Sequence, residues 1–554
     1  MSETDKWALL SVYSKDGITG FAQKLVGLGW HLLASGGTCR HLREAGLEVK
    51  DVADLVGGGA ILGHRVVTLS REVHAGLLAR DCQEDRDELA RLNIPRIEMV
   101  CCDFYPLAEE IAKAGVTVDA VVEQTDIGGP TMVRSAAKGG RIVICDPEDR
   151  ALVTESLKTI GDVDAKTRQY LRAKAEAIVS GYCLDAARFH SGGEFDGVVG
   201  QRLREVAYGE NRDQNPAYLY GNLSPRPHDP LALARFSVVS GNPSYISFAD
   251  GDKAISILRF LAESFRRNFH GTVPYIAVIC KHGNPCGAAF DWKYPYVALQ
   301  NALLGDPIAC MGGELVTNFE ITDELGTAIF AVPKDLVNLV GRKNWGLDVI
   351  FAPEFSATSI ELLGKREKRR LFSNPVLLDP PMSSEVWMRR PVPSGWLQQK
   401  APWFIFDQSS LDITWRTTEE QFVSVQLGNL LLAQVITWRA TSNTVALAKD
   451  SMLIGLGCGQ QDRIACVQLC LDRARRSGHD TNGAVFASDA FFPYAEHGFE
   501  GEPLEGPELL VQAGCVGGVV PADGKELPKV QEYFSKNGVS VAYLPPEDRG
   551  FAGH

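Results

Sequence analysis

The heptapeptide Lys281-His282-Gly283-Asn284-Pro285-Cys286-Gly287 closes an apolar run, Tyr275–Cys280, and sets an ammonium beside a titratable ring. A neighbouring positive charge disfavours a second one, which leaves the imidazole able to accept a proton. Proton removal is what a weak amine nucleophile needs. A Lys–His pair in a turn more often bonds only to backbone, so the segment alone leaves both readings open. A His followed by Pro-Cys also invites comparison with zinc deaminases, which take three ligands and a general acid/base from H-x-E and P-C-x-x-C. Here Asn284 stands where the Glu is required and no Cys lies three residues after Cys286. No zinc is expected.

Three further segments carry glycines where a strand hands over to a helix. In Ser35-Gly36-Gly37-Thr38, helix N-terminal N–H groups and two hydroxyls suit a phosphate, although a plain strand-to-helix turn explains the same residues. Asp126-Ile127-Gly128-Gly129-Pro130-Thr131, with Arg134 and Lys138 following at helical spacing, gathers a carboxylate, a guanidinium and an ammonium. A capped helix with a solvated basic face reads equally well there. Gly455–Arg463 (GLGCGQQDR) is either an anion contact in the first turn of a helix or a hairpin end feeding that helix.

The elements that must position these residues follow from periodicity. Apolar runs at Trp7–Val12, His31–Ala34, Arg96–Cys102 and Arg141–Cys145 alternate with helical spacing at Thr19–Leu28 and Thr38–Ala45. This predicts a doubly wound α/β domain over 1–150 with a mostly parallel sheet. Residues 151–200 predict a helical connector, with a helix over Thr167–Ala187. The Asn-, Pro- and Asp-rich stretch Gly209–Pro230 predicts a long loop system. Residues 201–554 read as α+β. Thr444–Lys449 runs through Asp450–Ser451 into Met452–Leu456 as a hairpin, with a helix over Asp462–Arg475. Two strand-rich blocks followed by helices predict an internal duplication.

Composition bounds the partners. The 554 residues suggest three or four compact units. A net charge of -13 argues against binding nucleic acid by bulk phosphate neutralisation, while leaving room for small anions in local cationic pockets. Thirteen cysteines, an odd number without a C-x-x-C pair, predict reduced thiols and a cytoplasmic protein. The polar start MSETDKW does not fit a signal peptide, and no run of about 18 apolar residues predicts a membrane span.

Taken in order, the motifs resemble the bifunctional family with 5-aminoimidazole-4-carboxamide ribonucleotide (AICAR) formyltransferase and IMP cyclohydrolase activities. SVYSKDG, LLASGGT, HRVVTL, DFYP and QTDIGGPTMVRSAAK are similar to its cyclohydrolase domain. YGEN, KHGNPCG, DPIACMGG, DVIFAP, SNTVALAKD, GCGQQDR, ASDAFFP and DRGFAGH are similar to its formyltransferase domain. The resemblance implies a methylglyoxal-synthase-like N-terminal domain and a C-terminal half of two deaminase-like subdomains without zinc. It also implies 10-formyltetrahydrofolate as cosubstrate and a homodimer with shared formyltransferase sites. By this resemblance His282 is the base, Lys281 its electrostatic partner, and Asn443 holds the carboxamide. Tyr208, Gly312, Asp348, Arg463, Phe491 and Arg549 would line the nucleotide site, with Ile464 and Glu496 on the folate side. For ring closure, Lys15, Ser35, Gly36, Gly37, Thr38, Arg65 and Thr68 match the phosphate cradle, and Tyr105, Asp126 and Lys138 the proton-handling groups.

The departures fall on charged contacts. Val67 stands where the family usually has Lys, and Ser70 and Arg71 replace a following His-Pro. Ala207 replaces an Arg and Asp213 a His in the segment Ala207–Gln214. Pro521-Ala522-Asp523-Gly524-Lys525 replaces a PGGS-like turn, Ala309-Cys310-Met311 precedes Gly312-Gly313 in place of SAF, and Thr441 replaces a Lys. Losing a charged ligand contact of this kind costs about 2–5 kcal/mol. Arg212 and Arg71 are candidates to replace the missing cations. Two other readings therefore stay open: a paralogue acting on a related amino-carboxamide azole nucleotide in specialised nucleoside metabolism, and an inactive nucleotide-binding relative.

Overall fold

The structure, a computed structural model, describes residues 6–63, 65–223, 229–366, 368–383, 387–409, 414–415, 420–497, 503–548 and 550. The chain divides into two compact units, Met1–Arg202 with Tyr220–His228, and Leu203–Leu219 with Asp229–His554.

The first unit is built from β1 (Lys6–Ser11), α1 (Ile18–Gly27), β2 (Trp30–Ala34), α2 (Gly36–Glu44), β3 (Lys50–Asp51), α3 (Val52–Leu55), α4 (Arg71–Leu78), α5 (Gln83–Arg91), β4 (Ile97–Cys102), α6 (Leu107–Ile111), α7 (Val118–Glu123), α8 (Gly128–Lys138), β5 (Ile142–Ile144), α9 (Asp149–Ile160) and α10 (Ala165–His190). The sheet order is β3-β2-β1-β4-β5 and every pairing is parallel. Period-2 alternation buries both faces. Ala8 and Leu10 pack with Phe21 and Leu25 of α1, while Leu9 packs with Val73 and Leu77 of α4 and Met132 of α8. The direction of winding reverses between β1 and β4, and ligands of such sheets sit outside the carboxyl ends of the strands at that point. α10 buries Leu171, Ala175, Val179 and Tyr182 along one stripe. Ala175 and Val179 share a core with Val133 and Ala136 of α8, so this helix belongs to the packed body of the first unit.

The chain passes from one unit to the other through the pair β6 (Gly200–Val206) and β7 (Ala217–Asn222). Strand β7 corrects the expectation of continuous loop over Gly209–Pro230. Its Tyr218-Leu219-Tyr220 triplet has strong strand propensity and found a partner, outweighing the surrounding Asn and Pro. Residues 224–228 lie outside the described residues.

The second unit continues with β8 (Ser237–Ser240), α11 (Tyr245–Asn268), β9 (Tyr275–Lys281), β10 (Asn284–Asp291), α12 (Pro295–Gly305), β11 (Glu314–Thr317), α13 (Asp323–Phe330), α14 (Val337–Val340), β12 (Val349–Ala352), α15 (Ala357–Gly364) and β13 (Arg370–Ser373). A separate hairpin, β14 (Trp387–Val392) with β15 (Gly395–Lys400), follows. Then come β16 (Thr414–Trp415), α16 (Glu420–Arg439), β17 (Val445–Lys449), β18 (Met452–Gly457), α17 (Arg463–Arg476), β19 (Val485–Ser488), α18 (Gly506–Gln512), β20 (Gly517–Pro521), α19 (Leu527–Lys536) and β21 (Ser540–Leu544).

The expected duplication is present. In each half a long helix leads into an antiparallel hairpin, β9–β10 or β17–β18. A third strand then pairs antiparallel with the first hairpin strand, and two parallel strands extend the sheet. The halves join where Ala289 of β10 faces Met452 of β18, giving one twelve-stranded sheet among the described residues. A shared sheet needs no second core boundary, which is why two compact units form instead of three or four. Helices α11 and α16 cover the common face, where Leu258 and Phe265 meet Leu430 and Leu431. On the other face each hairpin lies tight against its following helix. A Cβ on Gly287 would come within 2.0 Å of the Ala302 carbonyl oxygen, and one on Gly457 within 1.9 Å of that of Cys466. Gly455 and Gly457 of the Gly455–Arg463 segment therefore serve helix packing, while Gly459 takes a left-handed turn at φ 66°.

Candidate active sites

In the first unit the loops after β1, β2 and β4 converge at the carboxyl ends of the strands. Ser11 Oγ lies 3.1 Å from Ser35 Oγ. The Thr38 hydroxyl is 3.1 Å from both the N–H and the carbonyl oxygen of Val12, which ties α2 to the loop after β1. No described atom lies within 4 Å of a Cβ placed on Gly36 or Gly37, so backbone there is open to a close ligand. Lys15 Nζ donates to the carbonyls of Val12 and Tyr13; burial lowers its ammonium, and Asp103 opposes that shift. The Tyr13 N–H donates to Asp103, whose carboxyl is itself raised by burial.

Tyr105 and Asp126 come together beside this cradle. The Tyr105 ring stands edge-on to Tyr13 with centroids 5.7 Å apart. Burial, then the Asp126 carboxylate, raises the Tyr105 phenol. Asp126 accepts from the Gly129 N–H at 2.9 Å, and burial raises its carboxyl despite that bond. The Asp126 N–H donates to the Tyr182 hydroxyl at 2.6 Å, a contact from α10 that no motif announced. Thr68 is buried and its hydroxyl lies 2.7 Å from where a Gly128 Cβ would stand, so that position requires glycine. Arg65 reaches Glu123 at 2.5 Å on the surface of the same loop region. Lys138 stands apart from this group: it lies ten residue steps along α8 from Gly128, about 15 Å of rise. Asp126 and Lys138 line opposite stretches of one cleft of about 620 Å³ along α8 and α10, with Arg134 and Tyr182 between them. Val67 packs against the hydrophobic core. Arg71, a candidate replacement for the missing cation, pairs with Glu72 at 3.1 Å on the surface.

In the second unit Lys281-His282-Gly283-Asn284 is a two-residue hairpin turn, tighter than the seven-residue turn expected, because β10 already begins at Asn284. His282 has φ 53° and Gly283 φ 72°, the left-handed pair that matches strand twist. Pro285 is accommodated at a register shift in the pairing. Asp250 of α11 accepts from the His282 N–H at 3.0 Å and from the Gly283 N–H, which holds the exposed imidazole on a fixed base. Asn284 Oδ1 accepts from the Thr441 N–H at 2.9 Å, linking this turn to the Thr441–Asn443 segment of the other half. Asn443 Nδ2 donates to the Gln460 carbonyl at 2.7 Å, and Asn443 Oδ1 accepts from Arg463 Nη2 at 2.7 Å.

Arg463 sits where the sequence placed it, at the start of α17, but its guanidinium faces inward. It pairs with Asp489 at 2.6 Å and donates to Ser488 and to the Thr444 carbonyl. A Cβ on Gly312, φ 80°, would lie 3.8 Å from Asp348 Oδ2, so these two residues meet; Asp348 also pairs with Arg366 at 2.6 Å. The Tyr208 carbonyl accepts from the Tyr245 N–H, and Ala207 donates its own N–H to Pro243. Arg212 is exposed in the following turn. The Phe491 ring lies over Gly524, where a Cβ would come within 2.8 Å of Cδ2. Ile464 is half-buried in the first turn of α17 and Glu496 is exposed. Arg549 lies outside the described residues; its neighbours Asp548 and Gly550 border a cavity of about 700 Å³ with Trp403, Phe404 and Trp438. Among the described residues no group of three or more His, Cys, Asp and Glu could hold a metal ion, and no helix is long and apolar enough to cross a membrane.

The sequence reading missed Glu314, the first residue of β11. It is 3% exposed and its carboxyl hydrogen-bonds to Asp250. Burial first, then the Asp250, Cys286 and Asp348 charges, push it up to about 10 from an ordinary 4.5. The folded chain therefore holds one proton that the unfolded chain has lost between those values. Stability falls as pH rises through that window, at about 1.4 kcal/mol per pH unit for one full proton. Urea unfolding of the full chain between pH of about 6 and 9 is expected to show a shallower slope for Glu314→Val than for the natural protein.

An open backbone cradle at the switch point of the parallel sheet in the first unit, and a hairpin-borne His in the duplicated second unit, are the features of an enzyme with two sites. The family model described as AICARFT/IMPCHase bienzyme matches residues 136–473, and that of the MGS-like domain matches residues 17–131. The "Bifunctional purine biosynthesis protein PurH" of Caldicellulosiruptor saccharolyticus is 30% identical over 519 residues, 92% of this chain and 94% of that protein. The protein of the same name from Anoxybacillus flavithermus is 31% identical over 545 residues, 95% and 96% of the two chains. A solved chain titled "Crystal structure of ForH" is 36% identical with a TM-score of 0.32, covering 34% of this chain and 99% of that one. This chain belongs to the AICARFT/IMPCHase bienzyme family.

Proposed function

We propose that the chain carries out both steps of its family. Formyl passes from 10-formyltetrahydrofolate to the exocyclic amine of AICAR, and the product closes with loss of water to inosinate. The observation that carries the reading is the Asn284–Thr441 hydrogen bond, which brings the Lys281-His282 turn and the Asn443 segment to one place.

The AICAR amine is a poor nucleophile because its lone pair is delocalised into the carboxamide-bearing ring. His282 takes the amine proton as nitrogen attacks the formyl carbon, and Lys281 stabilises the oxyanion of the tetrahedral intermediate. The bond from the formyl carbon to folate nitrogen then breaks, and that nitrogen receives the proton, releasing tetrahydrofolate. Asn443, held by Gln460 and Arg463, orients the carboxamide; Tyr208, Gly312, Asp348, Phe491 and Arg549 line the nucleotide, and Ile464 and Glu496 the folate side. In the first unit Lys15, Ser35, Gly36, Gly37, Thr38, Arg65 and Thr68 hold the phosphate. Tyr105 and Asp126 move protons as the carboxamide nitrogen attacks the formyl group; Lys138, about 15 Å of helix further along α8, enters this role through its family motif alone. Homodimeric assembly with shared formyltransferase sites belongs to the same proposal. So does a cytoplasmic location, which thirteen unpaired cysteines support. Family membership does not favour a different azole substrate or an inactive relative.

The test is turnover of AICAR with 10-formyltetrahydrofolate, read as the absorbance rise of released tetrahydrofolate. Formyl-AICAR supplied directly then isolates ring closure. Turnover of another azole nucleotide without turnover of AICAR would overturn the formyl-transfer assignment. Ring closure no faster than the uncatalysed background would overturn the second assignment, with Val67→Lys as the first variant to restore it.

A further inference from the structure

The duplication supplies an internal control for Glu314. Glu314 faces Cys280, the residue before Lys281 at the end of β9. In the other half the residue before Lys449 is Ala448, and the residue facing it is Val485, fully buried. The same place in the same fold is thus filled by an aliphatic side chain in one half and by a carboxyl in the other. The turns differ in the same way. The Asp450–Ser451 turn is held by a neutral amide, Asn429 Oδ1 accepting from the Ser451 N–H at 2.9 Å. The His282–Gly283 turn is held by the Asp250 carboxylate. Glu314 and Asp250 are 3% and 7% exposed and hydrogen-bond to each other. Two buried carboxyls in contact cannot both be charged, so one keeps a proton. Burial raises the Asp250 carboxyl as well, but two backbone N–H groups donate to it and pull it back toward its anion, whereas Glu314 Oε2 is buried with no partner among the described residues; Glu314 is therefore the proton-bearing member.

We propose that Glu314 is a positioning residue of the formyl-transfer site: its carboxyl donates to Asp250, and Asp250 carries the turn that presents His282. This rests on the reading of His282 as the base. The other titratable groups facing the pair are Cys280 on β9, Cys286 on β10, Asp348 before β12 and His282 itself. None of the three facing Glu314 is a cation, so the Glu314 proton is the neutralising element on that side. Replacing Glu314 by the aliphatic residue of the other half removes the donor. Asp250 then takes up a proton more readily and accepts more weakly from the turn.

The experiment compares full-length Glu314→Val and Glu314→Gln with the natural chain. Valine is already tolerated at the equivalent position, and glutamine keeps an N–H donor toward Asp250. Glu314→Val is expected to lower kcat for formyl transfer by about 10- to 100-fold with KM for AICAR changed by less than about threefold, the pattern of a misplaced catalytic group. Its acid limb in the kcat–pH profile should move up by about one pH unit as Asp250 protonates. Glu314→Gln should stay within about threefold of the natural chain with the acid limb unmoved. Amide exchange at His282 and Gly283 is expected to quicken by at least about tenfold in Glu314→Val only. Unchanged kcat, pH profile and exchange in Glu314→Val would overturn the proposal. If the natural chain does not formylate AICAR, the function assigned to the site fails. The exchange comparison then decides the role of Glu314 in holding the turn.

Discussion

Replacing His282 by Ala should lower formyl transfer by about 10²–10⁴-fold, the range that positioned proton transfer contributes, while ring closure of supplied formyl-AICAR stays unchanged. The two outcomes separate because His282 belongs to the second compact unit, whereas the phosphate cradle, Tyr105 and Asp126 belong to the first. The side chain is exposed on its turn and outside the buried core, so truncation leaves the core intact. One backbone effect needs a control. At φ 53° alanine is strained by about 1 kcal/mol, whereas asparagine visits that region readily. His282→Asn therefore keeps the turn and removes the base, and it should lose as much activity as His282→Ala. Both rates are read from tetrahydrofolate release at saturating AICAR. If His282→Asn kept the natural kcat, the imidazole would not be the proton acceptor, and the exposed turn would be structural only.

The segments that could be read from the chain are those where local pattern and tertiary placement agree. Trp7–Val12 and Thr19–Leu28 became β1 and α1 within a residue or two, because each is strongly periodic and each buries the face its pattern marks. The turn at His282–Gly283 was found but drawn too long. A Pro inside the first three residues of β10 argues locally against a strand, and the register shift that admits it is a property of the pairing. Arg463 was placed correctly on α17, yet its inward direction depends on Asp489, 26 residues away on another element, which no spacing rule connects. Glu314 left one trace, a single carboxylate opening the apolar strand Glu314-Leu315-Val316, and that trace means something only once Asp250 is known to lie against it. Tyr182 reached Asp126 from a helix expected to be a mere connector. Single elements are legible because short-range physics builds them. Side-chain convergence at a site is set by sheet order and helix packing, and it was accessible beforehand only through family motifs.

Replacing Arg463 by Met should destabilise the full chain by about 3–5 kcal/mol and weaken AICAR binding, the largest stability effect expected of any proposed site residue. The side chains of Arg463 and Asp489 are 8% and 0% exposed, so removing the guanidinium strands a carboxylate that, among the described residues, keeps only the Thr444 N–H as a donor. The same change frees Asn443 Oδ1, leaving the amide tethered through Nδ2 alone. Stability and activity are separable by a second substitution. In Arg463→Met with Asp489→Leu the stranded charge is gone, and apolar replacement of a buried ion pair is often neutral or stabilising. The double variant should therefore recover most of the unfolding free energy in urea. It should not recover kcat/KM for AICAR, because nothing restores the hydrogen bond that orients Asn443. If the double variant regained both, Arg463 would serve the fold alone. If the single variant lost activity without losing stability, the guanidinium would act on the nucleotide directly and the inward pairing with Asp489 would be a resting arrangement.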